Sequence, residues 1–178
     1  MNTNQLKMNN KLFSSLLLAL FLQINCWAQV DLNSTKKIPS VVIRTVYGQA
    51  FNTSDIKNDG KPIILCFWKT CCSGPIIELS AINEVYADWQ KETGVKLVAV
   101  SVDDSRNSAK ILPFVNGQNW DYEILLDPNS DFKRAINVTI VPHTFIINGE
   151  GNIVWQKASF MEGDENEMYE VIKSMIKN

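Results

Sequence analysis

One stretch, Ile63 to Leu79, constrains the fold more than any other. Ile63-Ile64-Leu65-Cys66-Phe67-Trp68 is an unbroken apolar run, the pattern of a strand buried on both faces of a sheet. A polar break carrying the adjacent Cys71 and Cys72 follows. Pro75 then opens a segment with Ile76, Ile77, Leu79, Ile82 and Val85 at near-helical spacing, with Glu78 and Glu84 among them. The order predicted is a strand, a tight turn bearing thiols, and a helix from Pro75 to about Glu92, stopped by Thr93-Gly94. A thiol at a helix start lies beside unpaired N–H groups and the positive end of the helix dipole, which favour thiolate over thiol.

The first 28 residues differ from the rest. Lys7 and Lys11 precede an apolar run from Leu12 to Ile24, no acid is present, and Cys26-Trp27-Ala28 offers small residues at both cleavage positions. This reads as a secretory signal peptide over residues 1–28, because the run is shorter than the ~20 residues a membrane span needs. Gln23-Ile24-Asn25 lacks the small residues that precede a lipid-modified cysteine, which argues against anchoring at Cys26. The expected location is extracytoplasmic, in the periplasm. Removing the peptide leaves 15 basic against 19 acidic residues, a net charge of −4, from the 17 and 19 of the whole chain. No basic block remains, so nucleic acid and anionic membranes are poor partners. Cys66, Cys71 and Cys72 survive, an odd number that argues against a full disulfide framework.

Residues 29–38 read as a loose leader. Val41 to Val46, a Gly48-containing turn and Ala50-Phe51 predict a β-hairpin. Val95 to Val102 is a second apolar strand, and Asp103-Asp104-Ser105 predicts a capped helix through about Asn116, kinked near Pro113. A short strand over Tyr122–Leu126 and a short helix around Phe132–Ile136 follow. Thr144–Ile147 and Ile153–Trp155 flank a Gly-rich hairpin turn, and a last helix spans about Glu165 to Lys177. Strands alternating with helices imply an α/β domain over residues 39–178, with the two long apolar strands as parallel neighbours.

A strand ending in Phe67-Trp68, a cysteine-bearing turn and helix, then a distant Val141-Pro142-His143-Thr144-Phe145 before a hairpin, resembles the TlpA/ResA-like thioredoxin family. Gly94-Val95 to Asp104 looks like the family's second central strand, and Leu125 to Val138 like its Leu-Leu-Asp-Pro segment and the helix after it. The resemblance spans roughly residues 38–177. It implies a thioredoxin-like fold, a central mixed β-sheet flanked by helices with an N-terminal β-hairpin, and reduction of particular disulfides, as in cytochrome c maturation. The family motif is Trp-x-x-x-Cys-x-Pro-Cys. Aligned from Trp68 without a gap, its first cysteine falls on Cys72, Gly74 takes the proline position, and Pro75 replaces the resolving cysteine. The usual dithiol is therefore missing, while Glu78 falls where the family often carries an acid.

Cys72 is accordingly the candidate nucleophile, against the reading of an inert thiol on a relic site. Pro75 has no N–H to offer its thiolate. Cys71 is either a replacement resolving thiol or a plain thiol where the family has tryptophan; adjacent cysteines bridge only in a strained eight-membered ring. Cys66 reads as a small core residue. The resemblance implies a substrate groove lined by Trp68, Val141, Pro142 and His143, with Pro142 cis and opposite Cys72. His143, the only histidine, either donates to Cys72 or is a surface residue. Glu78 either relays protons to the thiol or is a solvated helix acid. Cys71, Cys72 and His143 lack a further ligand pair, so neither a metal nor another cofactor is expected.

Three functions compete. The leading one is an exported thiol–disulfide oxidoreductase of altered, monothiol type, with protein disulfides or thiols as substrates and a thiol as electron donor. The second is a degenerate binding module that keeps the groove without turnover. The third is a thiol peroxidase, which the absence of a Pro-x-x-x-Thr-x-x-Cys pattern weakens.

Overall fold

The computed structural model describes residues 36–176, so the expected signal peptide and Cys26 lie outside the described residues. The elements are β1 (Val42–Thr45), β2 (Ala50–Asn52), β3 (Ile63–Trp68), α1 (Ser73–Thr93), β4 (Lys96–Ser101), α2 (Ile111–Gly117), β5 (Glu123–Leu126), α3 (Asp131–Ala135), β6 (His143–Ile147), β7 (Ile153–Ala158) and α4 (Asp164–Ile176). The strands form one mixed sheet in the order β2-β1-β5-β4-β3-β6-β7.

β3 is the centre of that sheet. It pairs parallel with β4 from Ile63↔Lys96 to Trp68↔Ser101, and antiparallel with β6 from Ile63↔Ile147 to Phe67↔His143. The parallel pair needs a crossover, and α1 supplies it. Successive β3 side chains point to opposite faces, so the apolar run feeds two cores. Ile64, Cys66 and Trp68 pack with Leu79, Ile82 and Trp89 of α1 and Met168 and Ile172 of α4. Ile63, Leu65 and Phe67 pack on the other face with Phe132, Ile136 and Phe145. The N-terminal hairpin forms as expected, with Ile43 opposite Phe51, and joins the sheet through β1 against β5.

Three local expectations need correction. Helix α1 begins at Ser73, two residues before Pro75, with Cys72 as its N-cap. Proline is tolerated anywhere in the first turn, where N–H groups have no intrahelical partner, so it marks the turn and not the first residue. Gly94 ends the helix in a left-handed conformation at φ 68°, as its position predicted. The helix expected from Asp103 to about Asn116, broken or kinked near Pro113, is instead an Asp104-centred turn, a 3-10 turn over Ser108–Lys110 and the short α2, which contains Pro113 in its first turn. Asp104 Oδ1 accepts from the Arg106 and Asn107 N–H groups, and such local bonds compete with helix. Finally, the described end of the leader is not loose. Lys37 bridges Asn152, and Lys36 accepts from the Ile153 N–H, which ties this segment to the start of β7.

The Phe67 ring lies 5.1 Å from Phe132 and 6.0 Å from Phe145, centroid to centroid, and is fully buried. Phe67→Ala should cost ~3–5 kcal/mol, read as a lower denaturant midpoint at unchanged slope.

Candidate active site

The site assembles where β3 and β4 end and β6 begins. Beyond Trp68 the chain leaves the sheet, and the Trp68 carbonyl accepts from the Val102 N–H at 2.9 Å. Asp103, just past β4, then holds the turn. Its Oδ2 accepts the Thr70 N–H at 2.9 Å, and its Oδ1 accepts the Thr70 hydroxyl at 2.7 Å. The Ser101 hydroxyl donates to Oδ2 at 2.9 Å. Three donors satisfy a carboxylate that is only 3% exposed, which is what lets it stay buried. Sequence reading placed Asp103 as a helix cap and missed this clamp. The usable signal was the position of an acid at the C-terminal end of the strand next to β3.

The clamped turn delivers the two thiols. Cys71 is exposed and Cys72 half-buried, with their Sγ atoms 3.4 Å apart. Cys72 is the N-cap of α1 at φ −118°, ψ 126°, yet its sulfur accepts no capping hydrogen bond. An N-cap side chain normally accepts from the second or third helical N–H, and here the third residue is Pro75. The expected activation of this thiol is therefore not what the structure shows. The Cys72 pKa is raised above its ordinary value, chiefly by the hydrogen bond with Cys71, then by burial and by charge on Cys71. Lys69 pulls it down and Asp103 adds to the rise.

The Val141–Pro142 peptide bond is cis, and Pro142 is buried. A Cβ built on Gly74 would lie 3.6 Å from Pro142 Cδ, so the proline loop packs directly against the first turn of α1. The Ser159 N–H donates to the Pro142 carbonyl at 2.8 Å, which brings the segment after β7 to the same place. Val141 is half-buried and packs against the core on the α3 side of the sheet.

Two expected contacts are absent. Trp68 does not line a groove: it is fully buried, with its ring 5.3 Å from Trp120 and 5.7 Å from Phe114. As the last residue of β3 it points into the core that α1 and α2 cover, whatever its closeness in sequence to the cysteines. His143 is half-buried and stacks on Phe145 at 4.5 Å, and neither ring nitrogen is hydrogen-bonded. It therefore makes no hydrogen bond to Cys72. Burial lowers its pKa, and Lys36 adds to the lowering.

Glu78 is not a solvated acid. It is 2% exposed, and accepts from Thr144 Oγ1 at 2.7 Å and from the Cys66 thiol at 3.4 Å. Burial pushes its pKa up to about 7 against those two bonds, and Asp164 adds to the rise. Burial, with Glu78 beside it, likewise raises Cys66 well above the usual thiol range. The sequence offered an acid one turn into an amphipathic helix; only the tertiary pairing of Cys66 with Thr144 shows where it points.

A central mixed sheet, a thiol at the start of a helix and an adjoining cis-proline loop define a thioredoxin-like domain. Residues 35–156 match the AhpC/TSA family, and the chain belongs to it. ResA, a thiol-disulfide oxidoreductase of Bacillus thuringiensis, is 29% identical over 121 residues, covering 68% of this chain and 67% of the relative. The Bacillus subtilis ResA is 31% identical over 116 residues, 65% of this chain and 62% of the relative. These matches thus span about two thirds of the relatives' length. A thioredoxin-like protein from Porphyromonas gingivalis superimposes with a TM-score of 0.71 at 44% identity, covering 79% of this chain and 92% of that one.

The raised Glu78 pKa has a consequence for stability. A carboxyl whose folded pKa exceeds its unfolded value stabilises fully at low pH and loses that contribution as pH rises through the folded value. Between pH of about 4.5 and about 7, the native protein should lose on the order of 3 kcal/mol relative to Glu78→Gln. Denaturant melts of both proteins across that range check the slope.

Proposed function

We propose that the protein is an exported thioredoxin-like thiol–disulfide oxidoreductase in which Cys72 is the nucleophile and the usual Cys-x-x-Cys dithiol is absent. One observation carries the reading. Cys72 caps α1 beside the Pro142 loop, where a reactive thiol of this fold belongs, while the third helical residue is Pro75. Export rests on the signal-peptide pattern of residues 1–28.

In the forward step the Cys72 thiolate attacks one sulfur of a substrate disulfide, forms a mixed disulfide, and releases the other sulfur as a thiolate. Nothing at residue 75 can resolve that adduct, so a second thiol from elsewhere must do so. An external thiol donor then returns the site to its reduced state. Val141 and His143, on either side of the buried Pro142 that shapes the loop, supply the edge against which an extended substrate segment lies; Trp68, inside the core, is excluded from it. Ile77, Ile140 and Met161 are exposed apolar side chains on the three segments that meet here, and suit an apolar stretch of a protein substrate. Glu78, half-ionised near neutral pH, serves as a proton-holding group behind the site and does not touch the reacting sulfur.

The raised Cys72 pKa and the missing N–H at Pro75 also favour a second reading, a binding module that keeps the groove without turnover. Turnover of a small disulfide with an external thiol separates the two. Wild type should be slow but measurable, and Cys72→Ser should abolish activity. Pro75→Cys returns an N–H beside Cys72 and places a thiol at the unstrained Cys-x-x-Cys spacing, and should raise the rate at least about tenfold. Equal rates for wild type and Cys72→Ser would leave only the binding module.

A further inference from the structure

We propose that Cys71 is the resolving thiol, and that the site cycles through a disulfide between the adjacent residues Cys71 and Cys72. This rests on the assignment of Cys72 as the nucleophile. The geometry points to it in three ways. The two Sγ atoms already lie 3.4 Å apart, so rotation of the side chains must close only the ~1.4 Å that separates this contact from a sulfur–sulfur bond. Cys71 is exposed and not disulfide-bonded, so its side chain has room to turn toward Cys72. No other described cysteine competes, since Cys66 is fully buried and donates to Glu78.

The cycle balances. The Cys72 thiolate attacks a substrate disulfide; the substrate sulfur–sulfur bond breaks, a Cys72–substrate bond forms, and one substrate thiolate leaves and is protonated by water. The Cys71 thiol gives its proton to water and attacks Cys72 Sγ. That mixed disulfide breaks, the second substrate thiolate leaves, and the Cys71–Cys72 bond forms. Two electrons have passed from the protein dithiol to the substrate, which is now two thiols. Two molecules of a low-molecular-weight thiol return the two electrons and two protons by the same exchange in reverse, the first forming a mixed disulfide on the site and the second releasing it, and together they leave as one disulfide.

The choice of adjacent residues sets the character of the cycle. Neighbouring Cα atoms are about 3.8 Å apart across a trans peptide, whereas disulfides normally join Cα atoms roughly 4.4–6.8 Å apart. The ring is strained, and strained, exposed disulfides are the readily reduced ones. The oxidised site is therefore short-lived in the presence of simple thiols and needs no dedicated dithiol to recharge it.

The test uses the reduced full chain, bis(2-hydroxyethyl) disulfide in excess, acid quenching at intervals, and intact mass with peptide mapping. Wild type should lose two hydrogens, with the bond mapped to the peptide that holds residues 71 and 72, and should carry little adduct. Cys71→Ser should hold a single hydroxyethylthio group on Cys72, with a lifetime at least about tenfold longer than in wild type. Cys66→Ser should behave as wild type. An adduct on Cys72 that persists equally in wild type and Cys71→Ser would overturn the role of Cys71 while leaving the nucleophile in place. A bond mapped to Cys66 would overturn it too. Absence of any adduct on Cys72 in Cys71→Ser would instead remove the nucleophile assignment, and this cycle with it.

Discussion

The burial and double pairing of β3 set the terms for everything around it. All six of its residues are buried, and it is bonded to β4 on one side and β6 on the other. A strand so enclosed has no freedom of register, because a one-residue slip would exchange the two cores it feeds. Its end point is therefore fixed, and with it the place where the chain must turn out of the sheet. The pairing of Phe67 with His143 puts Pro142 at the level of Trp68, beside that exit. Asp103, just beyond the parallel neighbour β4, reaches across to hold Thr70. The thiols thus sit in a turn anchored from two strands, even though Cys71 itself is exposed.

What that placement does to the thiol follows from local detail more than from the fold. A helix start ordinarily stabilises a thiolate through its free N–H groups and the dipole. Here Pro75 removes one of those donors, and a second thiol 3.4 Å away raises the Cys72 pKa. Lys69 offsets this in part. The same neighbour that weakens Cys72 as an acid is the group placed to complete its chemistry. The buried carboxyl of Glu78 faces inward to Cys66 and Thr144, so proton-holding capacity and nucleophile occupy separate positions.

Much of this was legible in the sequence, for identifiable reasons. The unbroken run Ile63–Trp68 admits little but a strand buried on both faces, and the hairpin around Gly48 and the stop at Gly94 follow from turn and cap chemistry. Residues whose role depends on long-range neighbours were not legible. Asp103 reads as a cap until Thr70, 33 positions away, is seen against it. Glu78 reads either as a proton relay to the thiol or as a solvated helix acid until Thr144, 66 positions away, donates to it. Trp68 was misplaced because closeness in sequence to a reactive turn says nothing about which sheet face a side chain takes. Pro75 led the start of α1 astray by two residues, since proline suits any position of a first turn.

The central claim is that exchange chemistry begins at a Cys72 whose ionisation is held back by Pro75 and Cys71. The most direct measurement is the pH dependence of the second-order rate of reaction between Cys72 and a small disulfide. The account predicts a rate that keeps rising past the ordinary thiol pKa of about 8.5, and a profile displaced to lower pH in Cys71→Ala. A rate already at its plateau near pH 7 in the wild-type protein would contradict it.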